Sequence, residues 1–327
     1  MDGRNRRYGR YSRILRGHHV LGREYGGKVQ ARHGTTRTLT RYKRCGLRRM
    51  VGKSPTNLTR NNMKHRFGFD APKNKPIEAS IQWAAENGFG YIDFQADVPP
   101  NDIASFDAKR VRKVRDLCET HEVAMGIHPS SAINNAEYVP IMSEAVDNYL
   151  FANLELAQRL GCGWLIGHGG YHFGDVAQRR DAAIERIQRL VARAEQAEIV
   201  IFFENHNREP EHAEIHYIPH NVEETHWFFD ALRSPYLKWA FNVAHGHLVP
   251  EGWQGFLEAF GVENIGQVRL NDNTGEYEIH LIPGEGTIDF ADLFAQLNGR
   301  GYEGWFSLGF GDDTDKVRVR DEFAAHL

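Results

Sequence analysis

Ile199-Val200-Ile201-Phe202-Phe203-Glu204-Asn205-His206 is the stretch on which the fold turns. Its run of β-branched and aromatic side chains reads as a strand buried on both faces, and it stops at a carboxylate, an amide and an imidazole. Three other stretches share the design: Ala124-Met125-Gly126-Ile127 ends at His128, Trp164-Leu165-Ile166-Gly167 at His168, and Leu237-Lys238-Trp239-Ala240-Phe241 at Asn242 with His245 behind it. Polar residues gathered at the ends of several parallel strands are how a (β/α)8 barrel assembles a site.

Outward from this core the pattern alternates regularly. His65 to Phe69 reads as strand one, and Ile77, Ile81 and Ala84 mark a helix that Gly88 ends. Tyr91 to Phe94 is strand two, a helix follows around Val111, Val114 and Cys118, and strand three runs Val123 to Ile127. A long helix from Pro140 to Leu160 leads through Gly161 into the strand at Trp164. Asp175 is expected to cap the next helix, whose Ile184, Ile187, Val191 and Ala194 share one face. After Glu204 the polar loop Asn207 to His220 is long enough to act as a lid, and a helix is expected from Val222 to Leu232. Strand six is Leu237 to Phe241, followed by a short helix near Phe256 to Phe260. Gly266 to Leu270 is strand seven, Asn271 to Thr287 a loop shaped by Gly284-Glu285-Gly286, and Phe290 to Leu297 a helix capped by Asp289. Trp305 to Leu308 completes eight strands. The 265 residues from Met63 onward match the ~250 typical of such a barrel. A doubly wound open sheet is the alternative, but no glycine-rich phosphate loop follows an early strand.

Charge divides the chain. Residues 1–62 hold 17 Lys and Arg against only Asp2 and Glu24, so the remaining residues carry a net charge of −18. That leader lacks apolar periodicity and reads as disordered polybasic sequence. It is an arm for nucleic acid or another acidic partner, an organellar presequence, or a translated upstream region foreign to the natural protein; Met63 stands directly before strand one, as a true start would. The three cysteines, Cys45, Cys118 and Cys162, are widely spaced and suit a reducing, cytoplasmic setting. The apolar runs are strand-length, so no membrane span is expected. Nucleic acid is not expected as a partner of the acidic barrel, and a homo-oligomer is compatible with the sequence.

Several further motifs carry a family resemblance. Leu154-Glu155-Leu156-Ala157-Gln158-Arg159-Leu160-Gly161 leads to Gly167-His168-Gly169-Gly170, and Phe203-Glu204-Asn205-His206, Asn242-Val243-Ala244-His245 and Leu270-Asn271-Asp272-Asn273 follow. Together with His280-Leu281-Ile282-Pro283-Gly284-Glu285-Gly286-Thr287-Ile288-Asp289-Phe290, they resemble the xylose isomerase-like barrels over about residues 65–310. That group includes sugar phosphate isomerases/epimerases, ketose 3-epimerases, hydroxypyruvate isomerases and endonuclease IV. The resemblance implies carbohydrate metabolism, a carbohydrate-like hydroxy-carbonyl substrate and an isomerase, epimerase or lyase reaction through an enediolate. It also implies a divalent metal, Mn, Co, Mg or Zn, held by Glu, Asp, His and Glu at the ends of strands five to eight.

Here Glu204 matches the first ligand only. Asn242, Arg269 and Gly309 stand at the other three positions, so the usual four-ligand site is incomplete and no cofactor is assigned outright. Glu204 with Arg269 sums to zero charge and needs no cation, which makes a guanidinium the expected stand-in for the metal. Glu204, His206, His245 and His168 are the candidate catalytic groups. His128, Asn242, Arg269, Asp272 and His280 are the candidate substrate-binding groups, and Asp93 stands where relatives often carry an acid. His128, His168, His206 and His245 also offer a nitrogen-rich metal set with Glu204. Trp164, Trp239 and Trp305 are expected in the core or barrel wall rather than as sugar platforms. Two other functions compete: a metal-free, non-catalytic relative that binds an anionic sugar or hydroxy acid through Arg269, and DNA repair in the manner of endonuclease IV.

A chain beginning at Met63 is expected to melt at nearly the same temperature as the full chain; a loss of many degrees would show that the leader belongs to the folded unit.

Overall fold

The computed structural model describes residues 63–327. The basic leader expected over residues 1–62 lies outside the described residues. Eight strands close into one barrel: β1 (Phe67–Asp70), β2 (Tyr91–Phe94), β3 (Ala124–Ile127), β4 (Trp164–Gly167), β5 (Val200–Glu204), β6 (Leu237–Asn242), β7 (Ile265–Leu270) and β8 (Trp305–Leu308). Each pairs in parallel with its neighbours in sequence, and β8 returns to β1. The α/β (β/α)8 barrel read from the sequence is therefore the fold. Strand boundaries move by a residue or two, and the helix expected near Phe256 to Phe260 begins at Gly252. The most consequential move is in β1, where Lys64–Arg66 forms a short 3-10 turn and the strand extends through Asp70.

Side chains alternate across a strand, so each barrel strand feeds two layers. Outward residues pack against the helices in one large core. Inward, Tyr91, Trp164, Ile166, Phe202 and Ala240 form a separate apolar cluster that plugs the barrel. The Trp164 ring stacks on Phe202 with centroids 5.5 Å apart, and Tyr91 meets Trp164 and Trp305 edge-on. Trp239 faces the other way, against Phe241 and Phe256. All three strand tryptophans thus sit in core or wall. The plug is also the floor of the polar layer above it, because the Trp164 indole N–H donates to Asp93 Oδ1 at 2.6 Å.

Gly126 makes room for that indole, since a Cβ there would overlap it. Helix starts follow the capping chemistry of the sequence, with Asp107, Asn221, Asp289 and Asp312 each accepting a backbone N–H of the first turn. Asp175 departs from its expected role. Its carboxylate accepts from Phe173 N and pairs with Arg179 instead of capping the helix behind it. One short helix, Val243–His247, has no counterpart in the sequence reading; Asn242 caps it by accepting from His245 N.

The long loop after β5 is partly ordered. Its His216–Tyr217 pairs antiparallel with Tyr171–His172 from the loop after β4, a two-residue ribbon over the barrel mouth. Among the described residues no helix is long and apolar enough to cross a membrane.

Gly126→Ala should cost about 1–3 kcal/mol by forcing Trp164 out of its rotamer, which chemical denaturation would register as a lower midpoint at unchanged slope.

Candidate active site

Alternate strands of such a barrel fill one layer. Here Asp70 and Glu204 close β1 and β5, His128 directly follows β3 and Arg269 is the last residue but one of β7, and these four side chains converge on the C-terminal mouth. β1 and β5 stand four places apart on the eight-membered ring, so Asp70 and Glu204 come from opposite walls. With His168, His206, Asn242, His245, Glu278 and His280 they line a cavity of about 290 Å3.

Arg269 is the hub, and it is almost fully buried. Nη2 donates to Asp70 Oδ2 at 2.6 Å, and Nη1 donates to Asp93 Oδ2 at 3.2 Å and to Gln267 Oε1 at 2.9 Å. The remaining hydrogens face His128 Nδ1 at 3.3 Å and Glu204 Oε1 at 3.5 Å. All three guanidinium nitrogens thus face this chain's own polar atoms. The zero charge balance expected from sequence is corrected by this geometry: Asp70 and Asp93 join Glu204, and three carboxylates face one guanidinium, a formal balance of −2.

Burial raises the cost of every charge here, and the partners decide each outcome. For Glu204, burial pushes the pKa up, but Arg269, His168 and His128 outweigh it and hold the carboxyl well below its usual range. Asp70 is likewise lowered against burial by Arg269 and His128. Asp93, at the bottom of the layer, is raised because burial wins over Arg269. Burial and neighbouring imidazoles lower His168 and, further, His206, which keeps both rings neutral.

Glu204 uses its two oxygens differently. Oε1 accepts from Asn242 Nδ2 at 2.8 Å, whereas Oε2 is buried with no hydrogen-bond partner. Facing Oε2 are His168 Nε2 at 3.5 Å and His128 Nε2 at 3.7 Å, and those two nitrogens lie 3.2 Å apart. Among the described residues, His128, His168 and Glu204 are the one group of three or more His, Cys, Asp or Glu side chains whose ligand atoms all lie within 4.8 Å of one another. Two imidazoles and a carboxylate suit a zinc-like or similar divalent ion, and the orphaned Oε2 gives that ion a reason to bind. The resemblance-implied position does not fit, because Asn242, Arg269 and Gly309 offer no anionic or imidazole ligand.

The other sequence candidates divide. His206 is buried, stacks on Tyr217 of the ribbon with centroids 4.9 Å apart, and leaves Nε2 without a partner. His245 turns Nδ1 to the Asn205 carbonyl at 2.7 Å and Nε2 toward Glu278 at 3.6 Å, so the nitrogen-rich set expected with Glu204 reduces to His128 and His168. His280 sits on the rim between Glu278 and the Gly309 carbonyl. Asp272 is not brought to the cavity: its carboxylate accepts four backbone N–H groups, from Asn273, Gly284, Gly286 and Ile288, and shapes the loop.

Sequence reasoning missed Asp70 and Glu278. Asp70 carries the same signal as its counterparts, an apolar run ending in a polar residue, but ending strand one at Phe69 hid it. Glu278 lies in a loop and has no such signal.

A closed parallel barrel with carboxylates and imidazoles at its strand ends defines the class of barrels that keep their chemistry at the C-terminal mouth. Within that class, the sequence profile of the xylose isomerase-like TIM barrels matches residues 81–325, and the chain belongs to that family. Among solved structures it is similar to a D-tagatose 3-epimerase-like protein (22% identity, 80% of this chain and 96% of the other, TM-score 0.70). It is also similar to D-psicose 3-epimerase from Clostridium cellulolyticum H10 (13%, 79% and 96%, TM-score 0.64) and to an AP endonuclease, family 2, from Brucella melitensis (18%, 80% and 98%, TM-score 0.62). Among curated proteins none matches the chain in sequence.

His245 is the titrating member to watch. Burial pushes it down, but Glu278 and Glu204 raise it above 6.5. Its stabilising pairing is complete below the unfolded value and is lost as pH rises through the higher folded value. Glu278→Gln should lower the His245 midpoint, read from ring-proton NMR shifts, and should shift that loss of stability to lower pH.

Proposed function

We propose that the protein is a sugar isomerase or epimerase that moves a proton next to the carbonyl of a small carbohydrate-like compound. The observation that carries this reading is Glu204: a buried, ionised carboxylate in the cavity wall whose Oε2 lies between two imidazoles and has no hydrogen-bond partner. The cavity is at the small end of ligand pockets, which run from ~300 to 1,000 Å3, and so favours a free sugar over a polymer. The structural neighbours named as 3-epimerases agree with the choice of reaction.

In this reading Glu204 Oε2 takes the proton from the carbon beside the carbonyl. Asn242 and Arg269 hold Oε1, so the carboxylate stays charged and aimed. Neutral His168 and His206 provide donors to substrate oxygens, and the Nε2 of His206 is free for one. Tyr217 and the ribbon cover the mouth and limit water. His245 exchanges protons with the cavity, held in place by the Asn205 carbonyl and by Glu278.

The His128, His168 and Glu204 triad favours a second form of the same reading, in which these residues hold a divalent cation. Such an ion would polarise the substrate carbonyl and stabilise the enediolate. Glu204 would then be occupied as a ligand, and proton transfer would pass to His245. Binding of an anionic ligand through Arg269 loses ground because its donors are engaged. Cytoplasmic residence is consistent with Cys118 and Cys162 lying buried as thiols.

A panel of free ketoses and hydroxy ketones, followed by epimer formation with and without chelator, tests the proposal. Glu204→Gln should lower turnover by roughly 100-fold or more. Full activity in that variant, or no turnover on any member of the panel, would overturn the reading; loss with chelator and recovery with metal would select its cation-dependent form.

A further inference from the structure

We propose that the ribbon over the barrel mouth is a proton-sensitive latch, held shut by neutral His172 and released when His172 takes a proton. The latch governs access to the cavity and stands apart from the reaction performed inside it.

The ribbon has little backbone pairing to hold it. Tyr171 pairs with Tyr217 and His172 with His216, and so short a ribbon is not stable in water by itself. Side chains therefore decide whether it stays closed. The Tyr171 and Tyr217 rings meet edge-on with centroids 5.9 Å apart, and the two imidazoles stack at 5.5 Å and 25°. The arm after β4 is anchored, since Asn134 accepts from Tyr171 N at 2.9 Å and donates to the Tyr171 carbonyl at 3.0 Å. The other arm belongs to the long loop after β5, so His216–Tyr217 is the part able to move, and the bond from Ile218 N to the Gly170 carbonyl marks its hinge. Tyr217 lines the cavity and stacks on His206, so its departure opens one wall.

One hydrogen bond makes the pair sensitive to protons. Gly174 N–H donates to His172 Nδ1 at 3.0 Å, and a backbone N–H can only donate. Nδ1 therefore holds a lone pair, and the hydrogen of the neutral ring sits on Nε2. An imidazolium carries hydrogen on both nitrogens. Protonation turns the acceptor into a donor facing the Gly174 N–H, and it sets a positive charge in the stack with His216.

The charged neighbours do not cancel this effect. Asp175 is bound to Phe173 N and to Arg179, which it shares with Glu137, and Glu224 is bound to His220 N and Nδ1. Against burial, Glu224 and the Tyr217 carbonyl raise His220, which therefore adds positive charge beside His172 in acid. Burial first and His216 second lower His172 below 6.5, against the smaller pull of Glu224 and Asp175. The contribution of His172 to closure is complete above that ordinary value and is lost as pH falls through the lower value of the closed form.

Amide hydrogen exchange of the full chain from about pH 7.5 to about pH 5, corrected for the intrinsic pH dependence of exchange, reads the latch. Protection of the His216 to Ile218 amides should fall several-fold on acidification while that of β4 and β5 stays constant. His172→Asn offers Gly174 a carbonyl oxygen that does not titrate, and should keep the ribbon protected at both ends of the range. His216→Phe keeps an aromatic partner without the imidazole and should shrink the drop. Wild-type protection that does not change with pH, or that falls equally in the barrel strands, would overturn the proposal. So would an undiminished drop in His172→Asn, which would hand the response to another group such as His220. Should His172→Asn leave the ribbon unprotected at every pH, His216→Phe decides: protection at the acid end above wild type supports the latch, and protection equal to wild type overturns it.

Discussion

One buried guanidinium organises the mouth of this barrel. Arg269 could not remain charged and enclosed without anionic partners, and Asp70, Asp93 and Glu204 could not remain so close together without it. The four groups come from four strands, so closure of the barrel and satisfaction of the charges are one condition. Removing Arg269 would leave three carboxylates around an uncompensated gap, and removing any one carboxylate would free a donor to reach for something else. The floor is tied to the same cluster, because Asp93 also takes the Trp164 indole and the Gln267 amide. Packing below and electrostatics above therefore share one carboxylate.

The balance around that guanidinium is unequal, because three carboxylates face one cation. The surplus negative charge that results is spread to the side where His128 and His168 stand. Both rings face Glu204 Oε2, the oxygen of that carboxylate left without a hydrogen-bond partner.

Much of this was legible in the chain because strand ends announce themselves. Glu204, His128, His168, Asn242 and Arg269 each follow or close an apolar run of strand length, and parallel pairing brings such ends to one rim. What stayed hidden depends on distances between strands far apart in sequence. Asp70 belongs to the first strand and Arg269 to the seventh, and their contact spans 199 positions. A one-residue difference in where β1 ends was enough to conceal it. Glu278 was hidden for another reason: its place follows from loop closure, and loops carry no periodicity. Asp272 misled in the opposite direction, since a carboxylate beside a strand end looks functional until its oxygens are seen to be filled by backbone N–H groups.

The Asp272 turn has a consequence for how such a site can change. By gathering the N–H groups of residues 284, 286 and 288, the loop carries an internal anion that fixes its path independently of what the rim displays. The segment holding Glu278 and His280 is therefore suspended from an anchor that takes no part in lining the cavity. Substitutions at those two rim positions would alter what the mouth admits without unravelling the loop that bears them. Selection among related ligands and preservation of the backbone are here separate problems, solved by different residues a few positions apart.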